Sequence, residues 1–225
     1  MMIALIIAGG FAKRMWPITK SMPKCLLEIK GKPVLQWQIE LLRKYGIKDI
    51  VVCTGYLADN IENIFGDGSQ LGVRIRYSVE SEPLGTAGAI RNAGKYIRNT
   101  FIDLNGDLFL DVNLKRFMDF HKNKGGIGSI AVHESDHPKD SDSIAMDKNN
   151  RIISLSKGVN LTKSGLHIFE PEIIDFIPDG FCNREEVLKE LVKEGKQVYG
   201  YLTSEFMKDV GTFERYSYVK NVLEK

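Results

Sequence analysis

Cysteine is scarce in this sequence. The 225 residues include three cysteines, Cys25, Cys53 and Cys182, which are odd in number, far apart and never arranged as C-x-x-C. A chain of this size does not need a disulfide framework, and the pattern gives no support for a zinc ribbon or a thioredoxin-like redox motif. Free cysteines of this kind are typical of a reducing compartment.

Long apolar runs are also missing. No stretch approaches the roughly 20 apolar residues that a membrane-spanning helix needs. The apolar run from Met1 to Ala8 lacks a basic leader and is followed at once by Gly9, Gly10, Lys13 and Arg14, which is not the pattern of a signal peptide. We therefore expect a cytoplasmic protein with no membrane partner.

The sequence has little net charge. Lys and Arg number 31 against 29 Asp and Glu, which leaves +2. This balance excludes the broad basic surface expected of a nucleic-acid binder, so we expect no nucleic-acid partner. The 43% of hydrophobic residues suits one domain over residues 1–225, built from two halves, 1–110 and 111–225, that share a core.

The order of apolar patterns predicts an α/β fold. In the first half, β-rich runs alternate with segments of helical period, which indicates a Rossmann-like, mainly parallel mixed sheet covered by helices on both faces. The predicted strands there are Ile3 to Ala8, Asp49 to Thr54, Val73 to Val79 and Phe101 to Asn105, and the predicted helices are Val34 to Tyr45, Leu57 to Phe65 and Thr86 to Tyr96.

The second half is less regular. Its predicted helices are Asn113 to Lys122, Arg184 to Glu194 and a last one from Phe213, and its predicted strands are Ile127 to Val132, Ile152 to Leu155, Gly165 to Phe169 and Val198 to Leu202. The polar stretch from His133 to Ser143 is predicted to be a loop. Asp103 interrupts an otherwise apolar strand, and the sequence offers no reason for it.

Ligands of open α/β sheets bind beyond the carboxyl ends of the strands. The first predicted strand runs into Ala8-Gly9-Gly10, where the glycines allow a close backbone approach, and Lys13 and Arg14 follow with positive charge. This segment is either a phosphate site or an ordinary glycine turn with solvated basic residues. It matches neither G-x-G-x-x-G nor G-x-x-x-x-G-K, so a dinucleotide or Walker-type site is not indicated.

Two further segments follow predicted strands. Glu82 to Gly88 forms a turn into a helix whose first amides could face a ligand, although a plain strand-to-helix connection is the commoner arrangement. Asn105-Gly106-Asp107 places a carboxylate at the same edge as the basic loop, where Asp107 could hold Mg²⁺. The alternative is a hairpin turn, which Asn-Gly favours.

Together these segments resemble the sugar-1-phosphate nucleotidyltransferases, whose N-terminal signature reads roughly G-G-x-G-T-R-L-x-P-L-T followed by P-K-P. Gly9 to Thr19 and Pro23-Lys24-Cys25 correspond to it in order and spacing. Glu82 to Gly88, Asn105-Gly106-Asp107 and Asp209-Val210-Gly211-Thr212 extend the resemblance over nearly the whole chain.

The resemblance implies attack by a sugar-phosphate oxygen on the α-phosphorus of a nucleoside triphosphate, with loss of pyrophosphate. The two substrates would be the partners of the chain, the first half would bind the nucleotide and the second the sugar phosphate, and a homodimer is compatible with the family. The implied cofactor is Mg²⁺, held by Asp107 and Asp209. Arg14 would hold the triphosphate, and Lys24 would bridge the α-phosphate and the sugar phosphate.

The resemblance also implies the residues that contact the rest of each substrate. The nucleotide would lie against Ala8, Gly9, Gly10, Lys13 and Gly85. The segment Pro-Leu-Gly-Thr-Ala-Gly is similar to that of mannose-1-phosphate guanylyltransferases, which favours guanine as the base and mannose 1-phosphate or a related hexose or heptose 1-phosphate as the acceptor.

The sequence departs from the family pattern in several places. Ala12 and Lys13 replace the usual Gly-Thr; the family's Glu-Lys pair corresponds to Ser156-Lys157; and Lys163 replaces the Asn that precedes Ser164-Gly165. By resemblance Lys157, Lys163 and Gly165 would contact the sugar phosphate. The resemblance is to the short form of the family, so we expect no C-terminal β-helix.

Two other functions remain open on the sequence alone. The departures at Ala12, Lys13 and Ser156 are compatible with a non-catalytic subunit that senses nucleotide sugars. A cytidylyltransferase for a non-sugar phosphate such as phosphocholine has a similar N-terminal motif.

Overall fold

A computed structural model describes residues 2–134, 143–156 and 161–224. Lys157 and part of the predicted loop from His133 to Ser143 lie outside these ranges. The strands of the described residues are β1 (Ile3–Ile7), β2 (Glu28–Ile29), β3 (Lys32–Pro33), β4 (Asp49–Thr54), β5 (Arg74–Val79), β6 (Phe101–Asn105), β7 (Leu108–Asp111), β8 (Gly128–Glu134), β9 (Ser143–Met146), β10 (Ile152–Ser156), β11 (Leu161–Phe169), β12 (Val198–Leu202) and β13 (Phe206–Asp209).

The main sheet has β1 near its centre. Its strands follow the order β10-β9-β11-β6-β1-β4-β5, with β8 paired to β11 and β12 paired to β8. β5, β4, β1 and β6 are parallel to one another, whereas β11 is antiparallel to β6. This confirms the predicted mixed, mainly parallel sheet, in which β10 and β11 run against the other strands.

Helices cover both faces of this sheet, as predicted. The α-helices are α1 (Val34–Lys44), α2 (Ala58–Phe65), α3 (Gly85–Asn92), α4 (Leu114–Lys124), α5 (Arg184–Lys193) and α6 (Phe213–Glu224). Side chains of a strand alternate between the two faces. Ala4 and Ile6 of β1 accordingly lie in one core with α1, α2 and α4, whereas Leu5 lies in the other with α3 and α5.

Both cores draw residues from both halves of the chain. The first contains Ile50 and Val52 together with Ile168 and Met207, and the second reaches from Leu5 to Val198. Such a shared core is what a single domain over residues 1–225 requires, although that boundary stays a prediction. Within the described ranges, no helix combines the length and the apolarity needed to cross a membrane.

The structure adds short strands that the apolar pattern did not indicate. β7 and β13 form a separate antiparallel pair, with Leu108 opposite Asp209. β7 does not pair with β6, so Asn105-Gly106 is not the turn of a hairpin. Gly106 instead lies against β1: its amide donates to the Ile7 carbonyl oxygen at 2.8 Å, and a Cβ there would be 2.9 Å from the same oxygen.

Candidate active site

A cavity of about 440 Å³ opens at the edge of the sheet where the parallel strands end. Five of the residues singled out from the sequence line it: Arg14, Asp107, Lys163, Gly165 and Asp209. They come from the first and second halves of the chain and from four separate segments, since Lys163 and Gly165 share β11. The fold therefore places Arg14, the two metal candidates and the described sugar-phosphate candidates around one space, and Lys24 joins them through its contact with Asp107.

Gly211 lies at the meeting point of three of these side chains. A Cβ built on Gly211 would lie 2.6 Å from Oδ1 of Asp209, 3.4 Å from Nη2 of Arg14 and 3.6 Å from Oδ2 of Asp107. The two carboxylates and the guanidinium thus surround a single point. Glycine is the residue that leaves that point open.

Lys24 forms an ion pair with Asp107. Its Nζ contacts Oδ2, and the side chains are 19% and 17% exposed. Burial to this degree excludes the interpretation of Lys24 as a solvated loop lysine. The ion pair also brings the segment Pro23-Lys24-Cys25 directly to the carboxylate that follows β6.

The carboxylate of Asp209 is hydrogen-bonded to Gly211 and Arg215 and does not cap a helix. Its Oδ1 accepts a hydrogen bond from the Gly211 amide at 2.9 Å, and both carboxylate oxygens accept from Arg215 Nη1, at 2.9 and 2.8 Å. The α6 terminus uses Thr212, whose Oγ1 accepts from the Arg215 amide at 3.3 Å. The alternative role of Asp209 as a helix cap is therefore wrong.

The two carboxylates suit a metal that shares its coordination with substrate. Among the described residues, no group of three or more His, Cys, Asp or Glu could hold an ion. Mg²⁺ binds through one or two carboxylates and takes its remaining oxygens from phosphates and water. Asp107 and Asp209 facing one open point fit that requirement.

The loop after β1 lies beside the cavity. Ala8 is fixed by its amide, which donates to the Cys53 carbonyl oxygen at 2.8 Å, while Gly10 is exposed and a Cβ there would meet nothing within 4 Å. Lys13 does not reach the two aspartates: it is exposed, and its Nζ lies 5.8 Å from the centre of the Phe11 ring. Ala12 has a left-handed backbone, with φ 50° and ψ 38°.

Glu80, which the sequence analysis did not single out, follows β5 and turns toward this loop. A Cβ on Gly9 would lie 3.2 Å from each carboxylate oxygen of Glu80. Oε2 also accepts from the Leu84 amide at 3.2 Å. Burial raises the pKa of this carboxyl group. The only available signal was its position two residues ahead of Glu82 in the family segment.

Gly85 begins α3 with φ 72°. A Cβ added at this position would lie 2.5 Å from the Cys182 carbonyl oxygen. The amides of Ala87 and Gly88 donate to that same oxygen at 3.0 and 3.1 Å. Chain packing therefore requires glycine at this position. The Cys182 carbonyl oxygen also accepts from two of the helix amides that could have faced a ligand.

Lys163 and Gly165 lie on β11 at the other wall of the cavity. Lys163 forms an ion pair with Glu185 at the start of α5. A Cβ on Gly165 would lie 2.6 Å from Nδ2 of Asn105, so the two segments are in close contact. Lys157, the third residue assigned to the sugar phosphate, is outside the described residues.

Asp103 has a buried partner that the sequence did not reveal. Its carboxylate is fully buried, and its Oδ2 lies 2.8 Å from Nε of Arg184 and 3.3 Å from Nδ1 of His167. Burial and the charge of Arg184 lower the pKa of His167 to about 4, so this histidine is neutral at pH 7. Asp103 and Arg184 then compensate each other, and Arg184 and Asn105 line the cavity.

Comparison with known proteins identifies the family to which the chain belongs. The family model described as Nucleotidyl transferase matches residues 3–225. The chain therefore belongs to the nucleotidyl transferase family, as its motifs predicted.

Two relatives show which proteins the chain is similar to in sequence. The chain is 31% identical over 220 residues to the mannose-1-phosphate guanylyltransferase of Mycobacterium tuberculosis, covering 94% of this chain and 61% of the relative. It is 34% identical over 203 residues to a UTP--glucose-1-phosphate uridylyltransferase of Synechocystis sp., covering 80% and 52%. The chain thus spans less than two thirds of the length of either relative.

The structural comparison agrees with the fold described above. The crystal structure of HddC from Yersinia pseudotuberculosis complexed with GMP-PN superposes with a TM-score of 0.84 and 28% sequence identity, covering 99% of this chain and 100% of the other.

Proposed function

We propose that this protein transfers a nucleoside monophosphate from a nucleoside triphosphate to a sugar 1-phosphate. An oxygen of the sugar phosphate attacks the α-phosphorus, the bond from that phosphorus to the bridging oxygen breaks, and pyrophosphate leaves. The products are pyrophosphate and a nucleoside diphosphate sugar. The observation that carries the proposal is the convergence of Arg14, Asp107 and Asp209 on one open point, with Lys24 on Asp107, in a nucleotidyl transferase chain.

Phosphoryl-type transfer depends on positioning and electrostatic stabilisation more than on a nucleophilic side chain. Arg14 supplies a planar donor for triphosphate oxygens, and Lys24 supplies a point charge beside Asp107 for the α-phosphate and the sugar phosphate. Asp107 and Asp209 would hold Mg²⁺, which when bound neutralises charge on the phosphates. Lys163 and Gly165 form the wall on which the sugar phosphate would rest.

We assign guanine as the preferred base because of Glu80. Guanine presents two adjacent donors, N1–H and N2–H, which a carboxylate can accept with one oxygen each, whereas uracil and thymine place two carbonyl oxygens beside a single N–H. Each carboxylate oxygen has two acceptor sites, so Oε2 can accept from the Leu84 amide and a base together. The position of this carboxylate against Gly9 supports GTP.

Mannose 1-phosphate, or a related hexose or heptose 1-phosphate, is the acceptor that we propose. Its support is the similarity to the guanylyltransferase of M. tuberculosis, whose name specifies mannose 1-phosphate. The relative named for UTP and glucose 1-phosphate is similarly close in identity, so the acceptor requires a direct test.

Pyrophosphate release with Mg²⁺ tests the proposal. The four ribonucleoside triphosphates and dTTP are crossed against mannose, glucose, glucosamine and heptose 1-phosphates, with phosphocholine as a non-sugar acceptor. Release with GTP and one of the sugar phosphates is the expected result. Release with CTP and phosphocholine alone, or binding of a nucleotide sugar without turnover, would replace the proposal with one of the two alternative functions.

A further inference from the structure

Arg184 is an unusual component of the cavity wall because it is almost completely buried and charged. It is 6% exposed, and its Nε and Nη2 face the fully buried carboxylate of Asp103 at 2.8 and 3.4 Å. A buried charge that loses its partner is strongly destabilising. Arg184 is therefore held in place by Asp103 and is not available to move onto a phosphate.

The outer side of the same guanidinium holds Asn105. Nη1 and Nη2 both donate to Oδ1 of Asn105, at 3.1 and 3.0 Å. A guanidinium can donate but cannot accept, so it can face only the carbonyl oxygen of an amide. Arg184 thereby fixes the orientation of the Asn105 amide: Oδ1 faces the guanidinium, and the NH₂ group is turned away from it.

The NH₂ group of Asn105 points toward the sugar-phosphate side of the cavity. Nδ2 lies beside Gly165: a Cβ built on Gly165 would be 2.6 Å from this nitrogen. Both residues line the cavity. Within residues 2–134, 143–156 and 161–224, no hydrogen-bond acceptor for Nδ2 is found. The NH₂ group, with two N–H donors, thus lies at the wall of an open, polar cavity.

We propose that Asn105 donates a hydrogen bond to an acceptor oxygen of the sugar 1-phosphate, and that Arg184 is the positioning residue that keeps its amide in the donating orientation. The inference rests on the proposed function for the identity of the ligand. The acceptor is a sugar hydroxyl or a phosphate oxygen. Asp103 takes part only by holding Arg184.

The substitution Asn105→Asp separates a donor role from a structural one. An aspartate keeps the shape of the side chain and still accepts from Arg184, so the fold should be retained, as checked by thermal unfolding. It lacks the NH₂ donor and turns an oxygen toward the ligand. We expect the KM for the sugar 1-phosphate to rise at least about tenfold, because an unmatched polar contact replaces a hydrogen bond.

The KM for the nucleoside triphosphate provides the control for charge. If the new carboxylate acted by general repulsion, the more highly charged triphosphate would be affected at least as strongly. We expect its KM to change by less than about twofold, since the lost contact is specific to the sugar phosphate. Asn221→Asp, which adds the same charge on an exposed position of α6, should change neither KM.

Arg184→Lys tests the positioning role. Lysine keeps the positive charge beside Asp103 but cannot hold Oδ1 with two parallel donors. The KM for the sugar phosphate should rise while that for the triphosphate stays constant. Inhibition by inorganic phosphate identifies the acceptor: weaker inhibition of Asn105→Asp indicates a phosphate oxygen, and unchanged inhibition indicates a hydroxyl.

Calorimetric titration of each protein with the sugar 1-phosphate distinguishes failure of this inference from failure of the proposed reaction. If the wild-type protein turns over substrate and Asn105→Asp has an unchanged KM and affinity for the sugar phosphate, the inference is wrong and the reaction stands. If the wild-type protein binds the sugar phosphate without turnover and Asn105→Asp loses that binding, the inference stands and the reaction is wrong. If the wild-type protein binds no sugar 1-phosphate, both are wrong.

Discussion

Gly211 and Asp209 are joined by a short local hydrogen bond: the Gly211 amide donates to Oδ1 of Asp209 at 2.9 Å, and the Cβ that Gly211 lacks would lie 2.6 Å from that oxygen. The turn therefore orients the carboxylate and leaves no room for a side chain. Arg14 and Asp107 lie within 4 Å of the same position.

We expect Gly211→Ala to lower pyrophosphate release by about 100-fold, since a misplaced catalytic group can cost this much. The fold should be retained, because the three atoms nearest to the added methyl group all belong to side chains of the site and none to the backbone. The matched control is Gly94→Ala, where a Cβ meets only Ile174 Cδ1 at 3.6 Å. Similar losses of activity in the two variants would contradict the prediction.

Asp107→Asn should reduce kcat by about 1,000-fold, comparable to the loss of one preorganised electrostatic contact in other enzymes. Asparagine retains an oxygen for Lys24 but has no charge for a metal. Dependence of the remaining activity on Mg²⁺ concentration is the second measurement, and its midpoint should shift to higher concentration. Asp111→Asn, an exposed position of β7, is the control. Full activity in Asp107→Asn would remove the metal assignment.

Glu80→Gln should change the choice of nucleotide. The amide offers one donor and one acceptor, which match the edge of uracil or thymine, while guanine loses one of its two acceptors. We expect kcat/KM for GTP to fall about 100-fold relative to UTP and dTTP, because unmatched buried polar groups discriminate strongly. Competition assays with mixed nucleotides measure this ratio directly. An unchanged ratio would mean that Glu80 does not contact the base.

Ala12→Gly should stabilise the protein. Ala12 has φ 50°, a left-handed conformation that costs an L-residue about 1–2 kcal/mol and that glycine adopts freely. The greater freedom of glycine in the unfolded chain offsets part of the gain, which leaves a net increase of about 0.5 kcal/mol in the free energy of unfolding. Denaturant titration measures it. Ala58→Gly in α2 is the control and should destabilise the protein.

His167 should make stability depend on pH in the acidic range. Its pKa is about 4 in the folded protein against 6.5 for the free side chain, because it is buried beside Arg184. Between these values the unfolded chain binds more protons, so stability is lost as pH falls from 6.5 to 4, by up to about 3 kcal/mol. Replacing the histidine by glutamine should flatten this part of the profile. Identical profiles for the two proteins would show that His167 is not responsible for the loss of stability in this pH range.

The sequence was sufficient to predict the strands and helices whose apolar residues follow a clear pattern. β1, β4 and β5 were predicted because their apolar runs are continuous or strictly alternating, and β6 from an apolar run that Asp103 interrupts. The helix α1 was predicted because its apolar residues recur at helical spacing. β7 and β13 were missed since each has four residues and their pairing joins segments about a hundred positions apart, so nothing local specifies it.

The candidate site was predictable where residues belong to a motif and not where they act through a distant partner. Arg14, Lys24, Asp107 and Asp209 were found from ordered motifs. Asp103 was noticed but unexplained, because Arg184 follows it 81 positions later and only the fold joins them. Glu80, Asn105 and Arg215 likewise acquire their significance from neighbours that the chain brings together in space.

The direction of β11 has a consequence for how the two substrates are recognised. Because β11 runs against β6, the first part of β11, with Lys163 and Gly165, meets the edge of the sheet at which β1, β4, β5 and β6 end. One wall of the cavity is therefore encoded in the first part of a strand, and the opposite wall follows the ends of several others. If the proposed substrate sites are right, we expect replacements of Lys163 or Gly165 to alter the acceptor while the ends of β1 and β5, and with them the choice of base, stay as they are.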